Sequence, residues 1–249
     1  MKLKFGAVAA LPLVLALAAC GGSDDKDAAA ANTASTAAPI AAPAGQQWVD
    51  TIKLTEDGGY LMGNPDAPVK LVEYASMTCS HCADFAEKAI PSLKEKYIAK
   101  GTVSLELRNF VRDPIDMTAS LLTRCGGEGP YYPLTEQMLA QQQDWMTKLQ
   151  SIGDAGFQRL QTLPPAQQFA EVAKAAGLDQ FVQQRGVSSQ KIAACLADEG
   201  AVNKLIEMNK VASEKHQITG TPMFLINGQT VTDAGTWETL EPKLRAAGA

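Results

Sequence analysis

The fold is indicated by two neighbouring segments, Val69-Lys70-Leu71-Val72-Glu73-Tyr74 and Cys79-Ser80-His81-Cys82. The first segment is short and largely apolar, which predicts a buried β-strand. After a connector at residues 75–78, apolar residues recur at helical spacing, which predicts a helix that begins at Cys79 and is kinked at Pro91. A pair of cysteines therefore lies at the N-terminus of a helix, directly after a central strand.

This position favours thiol chemistry. Unpaired backbone N–H groups and the positive end of the helix dipole stabilise a thiolate, so they lower the pKa of Cys79. We expect Cys79 to be exposed and to be the attacking or attacked sulfur, and His81 to add a hydrogen-bond donor or a positive charge. Cys82 lies one turn further along, faces the body of the protein, and would resolve a mixed disulfide.

A Cys-x-x-Cys pair can also be half of a zinc site, which needs two more Cys or His ligands at a suitable spacing. The chain has only two histidines, His81 and His216. Cys125 and Cys195 have no such residue near them in the sequence. We therefore predict no metal site and no bound cofactor, and the reactive group is the cysteine pair itself. His216 ends a predicted helix, where the dipole favours a histidine; a place near the cysteine pair is the alternative.

The first residues have the layout of a secretory signal peptide: two lysines, an apolar run as far as Ala19, then Cys20. The stretch Leu17-Ala18-Ala19-Cys20 resembles a bacterial lipobox, which implies a lipoprotein signal peptide over 1–19 and lipidation of Cys20. An ordinary signal peptide with a coincidental cysteine is the alternative. Residues 20–46, rich in Ala and Pro, are interpreted as a flexible tether that holds the domain off a membrane.

The sequence contains five cysteines, and four remain if Cys20 is lipidated. An even number in an exported protein suggests two pairs. Cys79 and Cys82 are close enough to pair locally, which leaves Cys125 and Cys195 for a second, structural disulfide. The alternative is that these two are buried free thiols.

A second informative segment is Gly220-Thr221-Pro222-Met223-Phe224-Leu225-Ile226-Asn227-Gly228. Pro222 followed by an apolar run predicts a strand, and Asn227-Gly228 predicts a hairpin turn after it. On local sequence alone, Pro222 is a plain strand start.

Between the two segments the apolar spacing is helical. Gly177 marks a helix end, and Ser188 or Ser189 can cap a later helix. The Gln-rich stretches, Gln141–Gln143 among them, are interpreted as solvated helix faces. The predicted organisation is α/β, with a first part at 47–112, a helical insertion at 113–200 that carries Cys125 and Cys195 on apolar faces, and a second part at 201–249.

Taken together, the Cys-x-His-Cys motif and the Gly-Thr-Pro segment resemble the thioredoxin superfamily, and more closely its DsbA-like branch. The resemblance implies a thioredoxin fold with an inserted helical domain. It implies that Pro222 is cis and packs against the cysteine pair, with Thr221 offering its backbone to an extended substrate. It also implies that Glu73 is a buried carboxylate that handles the proton of Cys82; a solvent-exposed Glu73 is the alternative.

The chain departs from the family pattern at two positions. Ser80 stands where proline is common, and Thr221 stands where valine is common in the best-known oxidases. Both positions tune the redox potential, so the preferred direction of exchange is left open by the motif.

The resemblance implies a thiol:disulfide oxidoreductase that exchanges disulfides with exported proteins, most simply as a dithiol oxidase reoxidised by a membrane redox partner. One alternative is a reductase or isomerase. It is disfavoured because the short spacing between the tether and the first core strand does not accommodate the N-terminal dimerisation domain that dedicated isomerases of this superfamily carry. The other alternative is a chaperone-like lipoprotein without turnover. We expect a lipid-anchored monomer in the bacterial cell envelope, facing the periplasm or extracytoplasmic space. A net charge of −5 without a basic stripe argues against nucleic acid as a partner.

Overall fold

The computed structural model describes residues 37–249, which form a mixed six-stranded sheet packed between helices. The strand order is β1-β2-β4-β3-β5-β6, in which β3 and β4 are parallel and all other neighbours are antiparallel. The strands are β1 (Ile52–Leu54), β2 (Tyr60–Met62), β3 (Val69–Ala75), β4 (Val103–Asn109), β5 (Met223–Ile226) and β6 (Gln229–Val231).

Ten α-helices lie within the described residues: α1 (Ser80–Leu93), α2 (Pro114–Arg124), α3 (Glu128–Ala140), α4 (Gln142–Gln150), α5 (Gly153–Gln161), α6 (Pro165–Ala176), α7 (Leu178–Gln183), α8 (Ser189–Leu196), α9 (Glu199–His216) and α10 (Trp237–Ala246). A 3₁₀ turn at Trp48–Asp50 precedes β1. None of the helices in residues 37–249 combines the length and the apolar character that a membrane span requires.

The predicted strand at 69–74 is confirmed as β3, one residue longer, and it lies in the middle of the sheet. Alternate side chains of a strand point to opposite faces. Leu71 and Glu73 therefore face one side, towards α1 and the main core. Val72 and Tyr74 face the other side, in a smaller apolar cluster that includes Ala212 of α9.

Helix α1 begins where the sequence predicted, with Cys79 as its N-cap residue in an extended conformation. Pro91 lies inside the helix and removes one backbone donor there. The chain remains helical beyond it but changes to a π-helical segment at Lys94–Ile98. The carboxyl end of β3 and the amino end of α1 thus meet at the cysteine pair.

The helical insertion comprises α2 to α8, between β4 and α9. The predicted helix end at Gly177 is confirmed, since Gly177 has a φ of +71° and caps α6. Ser188 caps α8 by accepting a hydrogen bond from the N–H of Lys191. Helices α5 and α7 were not predicted: α5 buries only Leu160, and α7 is six residues long.

The hairpin predicted from Asn227-Gly228 is confirmed. Both residues have positive φ, of 50° and 80°, and they connect β5 to β6. This geometry is that of the two-residue turns that suit the twist of antiparallel strands.

The end of the predicted tether is docked on the folded domain. The N–H of Ala37 donates to the carbonyl of Gly248 at 2.9 Å, and that of Ile40 donates to the carbonyl of Lys100 at 2.8 Å. The indole N–H of Trp48 in turn donates to the carbonyl of Ile40. The prediction of a flexible tether over residues 20–46 is therefore wrong at Ala37 and Ile40, which are hydrogen-bonded to the domain. The predicted signal peptide and Cys20 lie outside the described residues.

Candidate active site

Cys79 and Cys82 are both free thiols in this structure. Cys79 lies at the amino end of α1 with Cys82 one turn further along, so the Cys82 thiol and the first backbone N–H groups of the helix act as donors towards a thiolate at Cys79. These donors lower the pKa of Cys79 to about 4, the Cys82 thiol making the largest contribution, while burial opposes the shift. The arrangement stabilises a thiolate at Cys79.

The expectation that Cys79 is exposed is wrong. The residue is only 6% exposed and belongs to the main hydrophobic core. Its sulfur lies 3.3 Å from the carbonyl oxygen of Thr221, to which the thiol form donates. Thr221 lies 142 residues further along the chain, so the packing of this loop against the sulfur could not be predicted from the cysteine motif.

Cys82 faces the body of the protein, as expected, and is fully buried. Its pKa is raised above the ordinary range, first because its proton is held in the hydrogen bond to Cys79, then by burial and by the nearby charge of Glu73. The two cysteines therefore have opposite preferences, with a thiolate favoured at Cys79 and a thiol at Cys82.

Glu73 lies on the face of β3 that points towards the cysteine pair, and it is only 3% exposed. Its strand neighbours are Leu107 of β4 and Phe224 of β5, so its surroundings are apolar. Burial, together with the negative charge of Cys79, raises the pKa of Glu73 to about 8. A carboxyl group with this pKa can exchange a proton near neutral pH.

The peptide bond between Thr221 and Pro222 is cis, and both residues are partly exposed. This segment lies directly before β5, whose Phe224 ring packs on Phe85 of α1 at 4.7 Å between ring centroids. The hydroxyl oxygen of Thr221 is buried and has no hydrogen-bond partner within the described residues. The cis-proline segment is thus brought beside the cysteine pair by the pairing of β5 with β3.

The two histidines occupy different places. His81 is exposed, and it lines a cavity of about 320 Å³ together with Phe85, Thr236 and Trp237. His216 ends α9 beside Tyr74, at 6.1 Å between ring centroids. Since Tyr74 points to the face of β3 opposite Glu73, His216 lies away from the cysteine pair.

Two polar residues of the insertion contact the loop before Cys79 and were not predicted as site residues. Asp116 of α2 is fully buried and accepts from the Ser76 hydroxyl and the Met77 N–H. Gln142 of α4 is 8% exposed and donates to backbone carbonyls of the loop. The interpretation of Gln141–Gln143 as a solvated face is therefore wrong for Gln142, although its neighbours Gln141 and Gln143 are exposed.

The other two cysteines form a disulfide, Cys125–Cys195, with their Cα atoms 5.9 Å apart. Cys125 is the C-cap residue of α2, and Cys195 lies in the last turn of α8. The disulfide joins two helices of the insertion. Within residues 37–249, no group of three or more His, Cys, Asp or Glu side chains is arranged to hold a metal ion.

Comparison with known proteins agrees with this geometry. A family model described as Thioredoxin matches residues 55–245. A protein-disulfide isomerase of Novosphingobium aromaticivorans is 33% identical, with a TM-score of 0.73, and the match covers 76% of this chain and 97% of that one. The chain belongs to the Thioredoxin family.

Two other similar proteins share less sequence identity with this chain. A putative protein-disulfide oxidoreductase of Rickettsia bellii is 28% identical over 184 residues, which cover 72% of this chain and 62% of the relative. The chain therefore spans about three fifths of the length of that curated relative. The structure of Wolbachia pipientis alpha-DsbA1 is 21% identical, with a TM-score of 0.63, and the match covers 78% of this chain and 94% of that one. It supports the fold.

Proposed function

We propose that this protein is a thiol:disulfide oxidoreductase that acts as a dithiol oxidase on exported proteins. The observation that carries the proposal is the position of the free thiols Cys79 and Cys82 at the amino end of α1, with the Cys79 sulfur 3.3 Å from the carbonyl oxygen of Thr221. This position favours a thiolate at Cys79, in agreement with a pKa lowered to about 4. Stabilising this thiolate stabilises the reduced form of the pair, and a pair with a stable reduced form is a strong oxidant. For comparison, the corresponding pKa is roughly 3.5 in the oxidase DsbA and roughly 7 in thioredoxin.

The reaction starts from the Cys79–Cys82 disulfide. A substrate thiolate attacks the Cys79 sulfur, forms a mixed disulfide and releases Cys82 with the electron pair of the broken bond. A second substrate thiolate then attacks the substrate sulfur of the mixed disulfide, and Cys79 leaves as a thiolate. The substrate loses two electrons and two protons and gains a disulfide, while the enzyme ends as the dithiol seen in this structure. The pair needs no bound cofactor.

In this scheme, Glu73 donates a proton to Cys82 and accepts it back. The leaving Cys82 is buried and favours the thiol form, so it must gain a proton on release and lose it on reoxidation. Glu73 is the buried carboxyl group whose charge acts on Cys82, and its pKa of about 8 lets it give and take that proton near neutral pH.

The partly exposed Thr221 and Pro222 would bind the substrate. An extended substrate segment can pair with the backbone of Thr221, as an added strand does at a sheet edge. The nearness of Thr221 to the Cys79 sulfur would then place a substrate thiol beside the reacting atom. The exposed His81, in the first turn of α1, would face the incoming substrate and favour its thiolate by charge or hydrogen bonding.

The second candidate function is disulfide reduction or isomerisation at the same site. It is favoured by the relative from Novosphingobium aromaticivorans, which is named a protein-disulfide isomerase and which this chain covers almost entirely. A chaperone-like role without turnover is a less supported alternative; it would survive replacement of Cys79 and Cys82, since it does not use their chemistry.

The equilibrium of the Cys79–Cys82 pair with glutathione separates these functions. We expect a reduction potential clearly above the roughly −270 mV of thioredoxin. A value at or below that of thioredoxin would overturn the oxidase assignment and favour a reductase. Two parallel assays separate oxidation from isomerisation: a reduced model substrate measures disulfide formation, and a scrambled one measures disulfide rearrangement. Cys79→Ser, which lacks the redox pair, is the control in both assays.

We further propose that the protein works outside the cytoplasm, as a monomer anchored to the bacterial envelope through lipidated Cys20. The lipobox-like sequence supports the anchor. Membrane fractionation and mass spectrometry of the mature N-terminus test it, and Cys20→Ser should release the protein from the membrane.

A membrane redox partner would reoxidise Cys79 and Cys82, which predicts that cells lacking that partner accumulate the dithiol form.

A further inference from the structure

The loop that precedes Cys79 is held from one side by residues of the helical insertion. Its hydroxyl and amide groups contact Asp116: the Ser76 hydroxyl donates to Oδ2 at 2.6 Å and the Met77 N–H donates to Oδ1 at 2.8 Å. The guanidinium of Arg112, just before α2, donates to the Thr78 hydroxyl at 2.7 Å. These contacts join residues about 40 positions apart in the chain.

Gln142 binds two backbone carbonyls of the same segment. Its Nε2 donates to the carbonyl of Met77 at 2.9 Å and to the carbonyl of Cys79 at 3.0 Å. A primary amide has two N–H donors, so one side chain bridges both carbonyls. The peptide groups of Met77 are thereby anchored on both sides, the N–H by Asp116 and the carbonyl by Gln142.

The Cys79 carbonyl has a special position, because it also accepts from the N–H groups of Cys82 and Ala83 and so starts α1. The positive end of the Gln142 N–H dipole partly offsets the negative potential of this carbonyl, which lies on the same residue as the reactive sulfur. This hydrogen bond also fixes the backbone that presents the sulfur to the N–H groups of the first helical turn. A buried amide at this point therefore acts on Cys79 by geometry and by its dipole.

We propose that Gln142 is a positioning residue for Cys79, through which the helical insertion sets the stability of the Cys79 thiolate. The inference rests on the proposed function, since it concerns the redox chemistry of the same pair. Gln142 does not touch the Cys79 sulfur; it acts through the two carbonyls. The insertion thus contributes to the redox potential as well as to the fold.

The test replaces Gln142 by Met, which keeps the length and apolar volume of the side chain but has no N–H donor. We expect the Cys79 pKa, measured from thiolate absorbance in the ultraviolet, to rise by about one unit, a tenfold loss of thiolate stability. The equilibrium constant with glutathione should move about tenfold towards the oxidised pair. Gln142→Asn, which keeps the amide on a shorter side chain, should lie between wild type and Gln142→Met.

Gln143 provides the matched control, since it is exposed and its amide donates only to Thr147 of its own helix. Gln143→Met should leave both readouts unchanged. The proposal is overturned if either Gln142→Met or Gln142→Asn folds and keeps the wild-type Cys79 pKa and glutathione equilibrium, because Gln142 then has only a structural role. A wild-type protein that fails to exchange with glutathione would instead contradict the proposed function, independently of the pKa readout.

Discussion

The two cysteine pairs of this protein lie at opposite ends of helices. Cys79 caps the N-terminus of α1, at the positive end of the helix dipole. Cys125 caps the C-terminus of α2, and Cys195 lies in the last turn of α8, where backbone carbonyls without helical partners gather. The positive end of a helix stabilises a thiolate and the negative end destabilises it.

The surroundings strengthen this difference. A buried carboxyl group, a cis-proline segment and an amide from the insertion all lie around the first pair. The Cys125–Cys195 disulfide instead links two residues of the helical insertion that are 70 positions apart in the sequence. Position on a helix and nearby polar groups, rather than the presence of two cysteines, therefore distinguish the Cys79–Cys82 pair from the Cys125–Cys195 pair.

The largest expected effect is on turnover. Cys79→Ser should abolish oxidation of a reduced model substrate, because the sulfur that forms the mixed disulfide is gone. The matched variant Cys125→Ala/Cys195→Ala should still oxidise the substrate at 25 °C. A Cys79→Ser protein that retains oxidase turnover, measured by substrate thiol loss, would reverse the roles given to the two pairs.

The second prediction concerns the carboxyl group beneath the reactive pair. Because burial raises the pKa of Glu73 to about 8 from an ordinary 4.5, the folded protein keeps a proton that the unfolded chain loses above pH 4.5. The stability that this proton confers is complete below pH 4.5 and is lost as pH rises through 8. Relative to Glu73→Gln, the reduced wild type should lose stability between pH 4.5 and pH 8, on the order of several kcal/mol in all.

Urea unfolding at a series of pH values, under reducing conditions, checks this difference. Glu87→Gln, at an exposed position of α1, is the control and should run parallel to the wild type. If Glu73→Gln also runs parallel, Glu73 does not hold a proton in the folded state and its role with Cys82 must be abandoned.

The third prediction concerns the structural pair. The variant Cys125→Ala/Cys195→Ala should lower the free energy of unfolding by about 4 kcal/mol, because the unfolded chain gains the conformational freedom of a 70-residue loop. Denaturant unfolding of the oxidised protein measures the change. In the wild type, mass spectrometry without reduction should show these two cysteines linked; finding both alkylated under native conditions would remove the structural pair from the comparison.

The smallest expected effect concerns two serines that occupy equivalent positions at the start of helices. Ser80 is the first residue of α1 and Ser189 is the first residue of α8, and each follows an extended N-cap residue. Proline fits the first helical position and an extended residue before it. Ser80→Pro and Ser189→Pro should each stabilise the fold by about 0.5 kcal/mol.

Only Ser80→Pro should also change the glutathione equilibrium, because only it lies between reactive cysteines. Thermal unfolding and the equilibrium constant are measured on both variants. A shift of the equilibrium by Ser189→Pro would show that α8 and its disulfide are coupled to the reactive pair, contrary to the separation drawn between them.

The sequence by itself determined the elements around the cysteine pair. The apolar run of β3, the helix start at Cys79 and the Asn227-Gly228 hairpin are local patterns, so they could be predicted within a residue or two. Burial of Cys82 followed in the same way, because a helix places it one turn beyond Cys79 and towards the sheet.

Only the tertiary structure decided which distant groups surround the sulfur. Thr221 covers Cys79 because β5 pairs with β3, and Asp116 and Gln142 reach the preceding loop because the insertion packs on it. The contacts of Asp116 and Gln142 leave no periodic signal in the sequence, because a single polar residue in a helix faces the core or the solvent depending on its partner. Gln142 therefore looks like its exposed neighbours in the sequence, and only packing distinguishes it.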